Sequence, residues 1–139
     1  MSENAKSGER LELTFDELSR KVIGAALQVH RQLGPGFLES AYEQALRIEL
    51  AARGLAFEAQ KPVQLRYAGQ VIGNHVLDLI VDGRLILELK AVSGLEDVHF
   101  AQLRSYLRAT GVQVGLLINF NSARLEIRRV VHKYVPDDQ

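Results

Sequence analysis

Three charged residues, Asp78, Glu88 and Lys90, interrupt two apolar segments joined at Asp82-Gly83 in the stretch HVLDLIVDGRLILELKAV, from His75 to Val92. Two carboxylates brought close together repel, and removal from water makes the repulsion worse. A hard divalent cation removes the conflict, because Mg²⁺ takes oxygen ligands, keeps part of its water shell and often binds one or two carboxylates together with a substrate phosphate. An ammonium beside them could orient or deprotonate a water, or neutralise charge developing on a phosphate. The chain has no cysteine, so any metal here must be held by oxygen or imidazole. The plainer alternative is a structural Asp-Lys-Glu cluster on a solvated sheet face.

Whether the three groups meet depends on how the stretch folds. It reads as two strands, near Val71 to Val81 and Arg84 to Val92, joined at Asp82-Gly83. Alternation puts Leu77, Leu79 and Val81 on one face of the first strand and Val76, Asp78 and Ile80 on the other. On the second, Leu85, Leu87, Leu89 and Ala91 form an apolar face, with Ile86, Glu88 and Lys90 opposite. A two-residue turn would pair Val81 with Arg84 and set Asp78 across from Leu87, which burial forbids. An odd-length loop is therefore expected, most simply a type I turn with Gly83 in the left-handed bulge position, pairing Ile80 with Arg84. The hydrophobic pattern alone then gathers Asp78, Glu88 and Lys90 on one face.

Other elements must support that hairpin. Thr14-Phe-Asp-Glu17 has capping-box spacing and opens a helix with Leu18, Val22, Ala25 and Val29 on one face, stopped by Gly34-Pro35-Gly36. A second helix is expected from about Phe37 to Arg53, closed by Gly54. FEAQKPVQLRY is extended, with a turn at Ala68-Gly69. Ser93-Gly-Leu-Glu96 has the spacing of another capping box, opening a helix to Thr110. VGLLINF reads as a buried strand and ARLEIRRVV as a more exposed one. The order is α-α-β-β-β-α-β-β, a single α/β domain over residues 13–135 behind a flexible tail, residues 1–12. Gln102 and Tyr106 share a face of the third helix, with His99 three residues before Gln102. Taken alone these are a helix flank and a core aromatic, although a Gln there could position water or a phosphate oxygen. Glu39 and Tyr42 lie in the first turn of the second helix, where Glu39 by itself would serve the helix dipole.

Bulk composition narrows the functions. The 139 residues suit one domain, and 47% apolar with 24% charged content is ordinary for a globular protein. No apolar run approaches membrane-spanning length and the first residues, MSENAKSGER, are unlike a signal peptide, so a cytoplasmic protein without membrane contact is expected. With 17 basic and 17 acidic side chains there is no global pull toward nucleic acid. Basic islands exist at Arg124, Arg128, Arg129 and Lys133 and at Arg104 and Arg108, more simply read as solvated faces than as phosphate tracks.

Together these residues resemble the PD-(D/E)XK nuclease superfamily. Asp78 followed by Glu88-Leu89-Lys90 has the spacing and strand context of its core motif, and Gln102-Leu-Arg-Ser-Tyr106 resembles the Gln-x-x-x-Tyr helix of its RecB-like exonuclease branch. Gly36-Phe-Leu-Glu39-Ser-Ala-Tyr42 is similar to the motif that names the small bacterial GxxExxY proteins, and VHRQLGPGFLESAYEQAL, ELKAV, AQLRSYLRATG and GLLINF follow in that family's order. Leu77 stands where the superfamily often has proline. The resemblance spans about Phe15 to Val131. It implies a restriction-endonuclease-like three-layer core, a mixed sheet flanked by helices. It further implies Mg²⁺ or Mn²⁺ held by Asp78 and Glu88, Glu39 as an added acid, Lys90 as the catalytic lysine, Gln102 beside it, and Tyr42, Tyr106 and His99 in support. Two functions compete: a metal-dependent nuclease acting on DNA, or failing that RNA, and a non-catalytic module that binds nucleic acid or protein through the same cleft. A domain this small leaves room for a homodimer or a protein partner to complete the groove.

Overall fold

The computed structural model describes residues 12–133. The tail expected over residues 1–12 therefore lies, through residue 11, outside the described residues, as does the expected domain end at residue 135. The elements are α1 (Phe15–Leu33), α2 (Glu39–Ala52), β1 (Phe57–Tyr67), β2 (Gln70–Val81), β3 (Leu85–Lys90), α3 (Asp97–Thr110), β4 (Val114–Asn119) and β5 (Glu126–Val131), in the expected order. The strands form one mixed sheet in chain order. All neighbours are antiparallel except β3 and β4, whose parallel pairing requires the crossover that α3 supplies.

Two apolar clusters make this a three-layer structure. One sheet face packs Leu79, Val81, Leu85, Leu87, Leu89, Leu116 and Ile118 against α1 and α2. The α1 stripe Leu18, Val22, Ala25 and Val29 is buried there as its spacing predicts. Thr14 caps α1: its hydroxyl accepts from the Glu17 N–H at 3.1 Å, and Glu17 Oε1 accepts from the Thr14 N–H at 2.8 Å. The other face packs Ile80, Ile86, Leu117 and Val130 against Leu103, Tyr106 and Leu107 of α3.

Contact on the α3 side is tight at Gly115. A Cβ there would lie 2.8 Å from Leu103 Cδ1, and Leu103 is wholly buried. Gly115→Ala should therefore overpack this layer, costing about 1–3 kcal/mol and lowering the melting temperature by several degrees. An unchanged melting curve would show that the layer has slack.

Three sequence expectations are corrected. The loop between β2 and β3 is odd, as burial demands, but Ile80 pairs with Ile86 rather than Arg84, and Val81 pairs with Leu85. Asp82 and Gly83 are both left-handed (φ 55° and 66°), with the Arg84 N–H returning to the Val81 carbonyl, so Arg84 and not Gly83 is the extra residue. Second, Leu77 does not share a layer with Leu79: it is buried under α3 with Ile80 and Ile86. Alternation breaks at Asp78, where the β1–β2 ladder passes over Gln60 and Asp78, and Gln60 has φ 52°. Third, α3 is opened by Glu96 rather than by Ser93, because the Glu96 N–H donates to His99 Nδ1 at 2.9 Å.

Candidate active site

The interruption at Asp78 makes the site. Beyond Leu79 and Leu87 the β2–β3 ladder stops, and side chains take over the bonding. The Asp78 carboxylate accepts the Leu89 N–H at 2.8 Å, and the Glu88 carboxylate accepts the Asp78 N–H at 3.2 Å. Each acid is held by the backbone of the opposite strand, so the two face each other across the splayed end of the hairpin. One oxygen of each, Asp78 Oδ1 and Glu88 Oε1, makes no hydrogen bond among the described residues.

Charge is poorly compensated here. Glu88 is only 5% exposed. Burial above all, then the Asp78 carboxylate, pushes its pKa up to about 8, while the Asp78 N–H and Lys90 pull it down less. Asp78 is raised too, chiefly by burial and further by Glu43 and Glu39, against the lowering pull of the Leu89 N–H and Lys90. Burial, then the Glu88 and Asp78 carboxylates, also raise Tyr106.

Lys90 and Gln102 meet as their positions suggest, with Lys90 Nζ donating to Gln102 Oε1 at 3.4 Å. Lys90 is steadied from behind by the residue that follows β4, Phe120, whose N–H donates to the Lys90 carbonyl. Asn119, wholly buried, donates to the Val92 carbonyl and accepts its N–H, both at 3.0 Å, clamping the chain just past Lys90. Tyr106 lies beneath the site, its hydroxyl 3.2 Å from His75 Nδ1.

The remaining candidates divide. Glu39 is exposed at the start of α2, and its charge acts on both strand acids without a hydrogen bond to either among the described residues. Tyr42 serves the loop before α2: wholly buried and stacked on Phe120 with centroids 4.6 Å apart, it donates to the Gly34 carbonyl and accepts from the Phe37 N–H. That loop places Glu39. His99 is spent on the start of α3.

Two contributors escaped sequence reading. Glu43, one turn after Glu39 and 8% exposed, bonds to Arg47 and to the Gln60 amide at 2.7 Å. Gln60 is the left-handed residue opposite Asp78. Spacing did carry a signal, since Glu39 and Glu43 are four apart, but Glu43 with Arg47 reads as an ordinary helix-surface pair.

The donor set suits a hard divalent cation. It offers two carboxylates, each with an oxygen free of backbone bonds, in surroundings that resist uncompensated negative charge. Among the described residues no three acidic, histidine or cysteine side chains form a ready-made cage. Mg²⁺ commonly relies on one or two carboxylates, with waters and substrate phosphate completing its shell.

A family model described as the PD-(D/E)XK nuclease superfamily matches residues 16–130. The crystal structure of SSO0001 is similar in fold, with a TM-score of 0.55 at 18% identity, covering 69% of this chain. This chain spans about half, 50%, of that protein's length. No curated protein matches it.

Proposed function

This chain belongs to the PD-(D/E)XK nuclease superfamily, and we propose from that membership that it is a metal-dependent phosphodiesterase acting on DNA, with RNA the second substrate to try. The observation that carries the reading is the Asp78–Glu88 pair, two carboxylates crowded at a buried strand end where Glu88 is 5% exposed and neither is ion-paired with Lys90. Such a pair costs stability when no cation is near, which a purely structural cluster would have no reason to retain.

In this reading Asp78 and Glu88 hold Mg²⁺ or Mn²⁺, which when bound supplies Lewis acidity and a water of lowered pKa. Glu39 and Glu43 add negative charge that favours cation binding. Lys90 presents its ammonium to the phosphate, and Gln102 fixes where that ammonium points. Lys90→Ala removes positive charge and no ligand. It should leave ion affinity equal or slightly raised while slowing single-turnover cleavage by about a hundredfold or more, the scale of losing one electrostatic stabiliser. Calorimetric ion titration beside single-turnover cleavage checks this, and wild-type cleavage by the variant would remove Lys90 from the chemistry.

Within the superfamily we assign the chain to the small bacterial GxxExxY proteins on Gly36, Glu39 and Tyr42, and place its work in the cytoplasm, where bacterial nucleic acid lies. No helix among the described residues is long and apolar enough to cross a membrane. A second copy or a protein partner would help enclose a substrate. The balanced charge, 17 against 17, favours the competing reading of a non-catalytic binding module. A cleavage screen over single-stranded, duplex and branched substrates with Mg²⁺ and Mn²⁺ decides between them: a wild type that neither binds ion nor cuts any substrate is the binding module.

A further inference from the structure

We infer that the groove between the β1–β2 hairpin and α3 carries an unpaired polynucleotide strand into the Asp78–Glu88 site, an inference that rests on the nuclease reading and names its substrate. The groove encloses about 780 Å³, with Lys61, Val63 and Arg66 on the β1 wall, Ile72 near the hairpin tip, and Ser105 and Arg108 on the helix wall. Its inner end adjoins the site. Lys61 pairs across the ladder with Leu77, the residue before Asp78, and Ser105 is one helical turn from Gln102. Its outer end is where the ladder shifts register between Leu65 and Arg66.

Among the described residues three cations line this groove and no acid does, in a chain whose charges balance overall at 17 each. Their charge is available. Among the described residues Arg66 donates only to neutral acceptors, Gln64 Oε1 at 2.9 Å and the Gly69 carbonyl at 3.3 Å. Arg108 makes no ion pair among the described residues. Lys61 is paired with Glu58, but both are exposed (42% and 63%), and such surface pairs exchange readily for another anion. Lys61 and Arg66 are five residues apart on a strand, roughly 16 Å, a span that suits two phosphates of one extended strand that are not neighbours.

Apolar side chains lie between the cations. Val63 and Leu65 sit within the wall, and Ile72 stands 66% exposed at the tip. Near the inner end, His75 pairs with Val63 and meets Tyr106 edge-on, ring centroids 5.5 Å apart. Val63 and Tyr106 are buried and only back this wall. Leu65, Ile72 and His75 keep exposed surface, on which an unpaired strand can lay its bases while its phosphates meet the cations. A duplex hides its base faces and would leave this apolar surface facing phosphates. The basic tail on β5 offers no comparable track, since Arg129 stacks over Phe15 at 5.3 Å and Arg128 leans to Glu126 at 3.6 Å.

The test is fluorescence anisotropy on the full chain in EDTA, so that nothing is cut, with oligothymidylate, oligouridylate and a duplex of equal length across a salt series. Arg66→Gln/Arg108→Gln is compared with Arg66→Lys/Arg108→Lys, both exposed sites whose variants are checked by melting. Wild type should bind one or both single strands more tightly than duplex, the two arms telling DNA from RNA. The Gln pair should weaken single-strand binding about tenfold or more and reduce the salt slope by about 1.4, while the Lys pair keeps most of both. Tighter binding of duplex, no binding of either single strand, or an unchanged affinity and slope in the Gln pair overturns the inference. Because binding is read without divalent ion, a strand held in the groove but never cut with Mn²⁺ overturns the nuclease reading alone. Cleavage undiminished in the Gln pair overturns the groove alone.

Discussion

Glu88→Gln is expected to abolish cleavage and yet, above about pH 8, to make the ion-free protein harder to melt than the wild type. Both effects come from one buried charge. The Gln carbonyl can still accept the Asp78 N–H, so the strand end keeps its shape. What is lost is the anionic oxygen that binds a cation. What is gained is relief from ionising a group that is 5% exposed and faces another carboxylate. A carboxyl raised from 4.5 to about 8 costs the folded state on the order of 5 kcal/mol when ionised, as a ceiling. Asp78→Ala should likewise abolish cleavage and weaken ion binding, but it also strands the Leu89 N–H, so it should gain less stability or none. Single-turnover cleavage, ion titration and melting of each variant at several pH values check these expectations. Cleavage that survives in either variant rejects the metal mechanism.

The wild type should lose stability as pH rises, and a divalent ion should restore it. The sign follows from the direction of the shifts. Glu88 is near 4.5 in the unfolded chain and about 8 in the fold, so the folded state binds the extra proton between those values. Its stabilising effect is complete below about 4.5 and disappears as pH passes through about 8. Asp78, also raised, acts in the same direction. In EDTA the melting temperature should therefore fall across that window. With Mg²⁺ or Mn²⁺ at a hundred times the dissociation constant, binding to the native state alone returns about 2.7 kcal/mol, and more as pH rises, because the ion competes with protons for the same oxygens. A melting profile indifferent to both pH and ion would leave the carboxylates without the strain assigned to them.

Much of this was legible in the sequence, for identifiable reasons. Burial at Leu85, Leu87 and Leu89 forbids an even loop, so the parity that gathers Asp78, Glu88 and Lys90 follows without any structure. Parity does not choose between registers two residues apart, and the left-handed Asp82 decides that locally. The misplaced Leu77 has the same kind of origin. Gln60 takes a positive φ with no glycine or asparagine to announce it, and the break in alternation it accompanies cannot be seen from period-two patterning. Gln102 was legible because helical spacing is rigid, and Tyr42 and His99, expected in support, put their polar atoms on a loop and a helix start. The Glu43–Gln60 contact spans 17 residues between elements, which no local pattern reports.

The kink at Gln60 has a second effect, on what the molecule avoids. β1 is an outer strand of the sheet, and at 11 residues it is long for an edge. A long flat edge offers a row of free backbone groups on which another chain can add a strand, the first step of aggregation. Here the left-handed Gln60, the proline at 62 with no N–H to give, and the shift after Leu65 divide that row into pieces too short to template a newcomer. The distortion that sets Asp78 against Glu88 on one side thus guards the sheet against fibrous growth on the other.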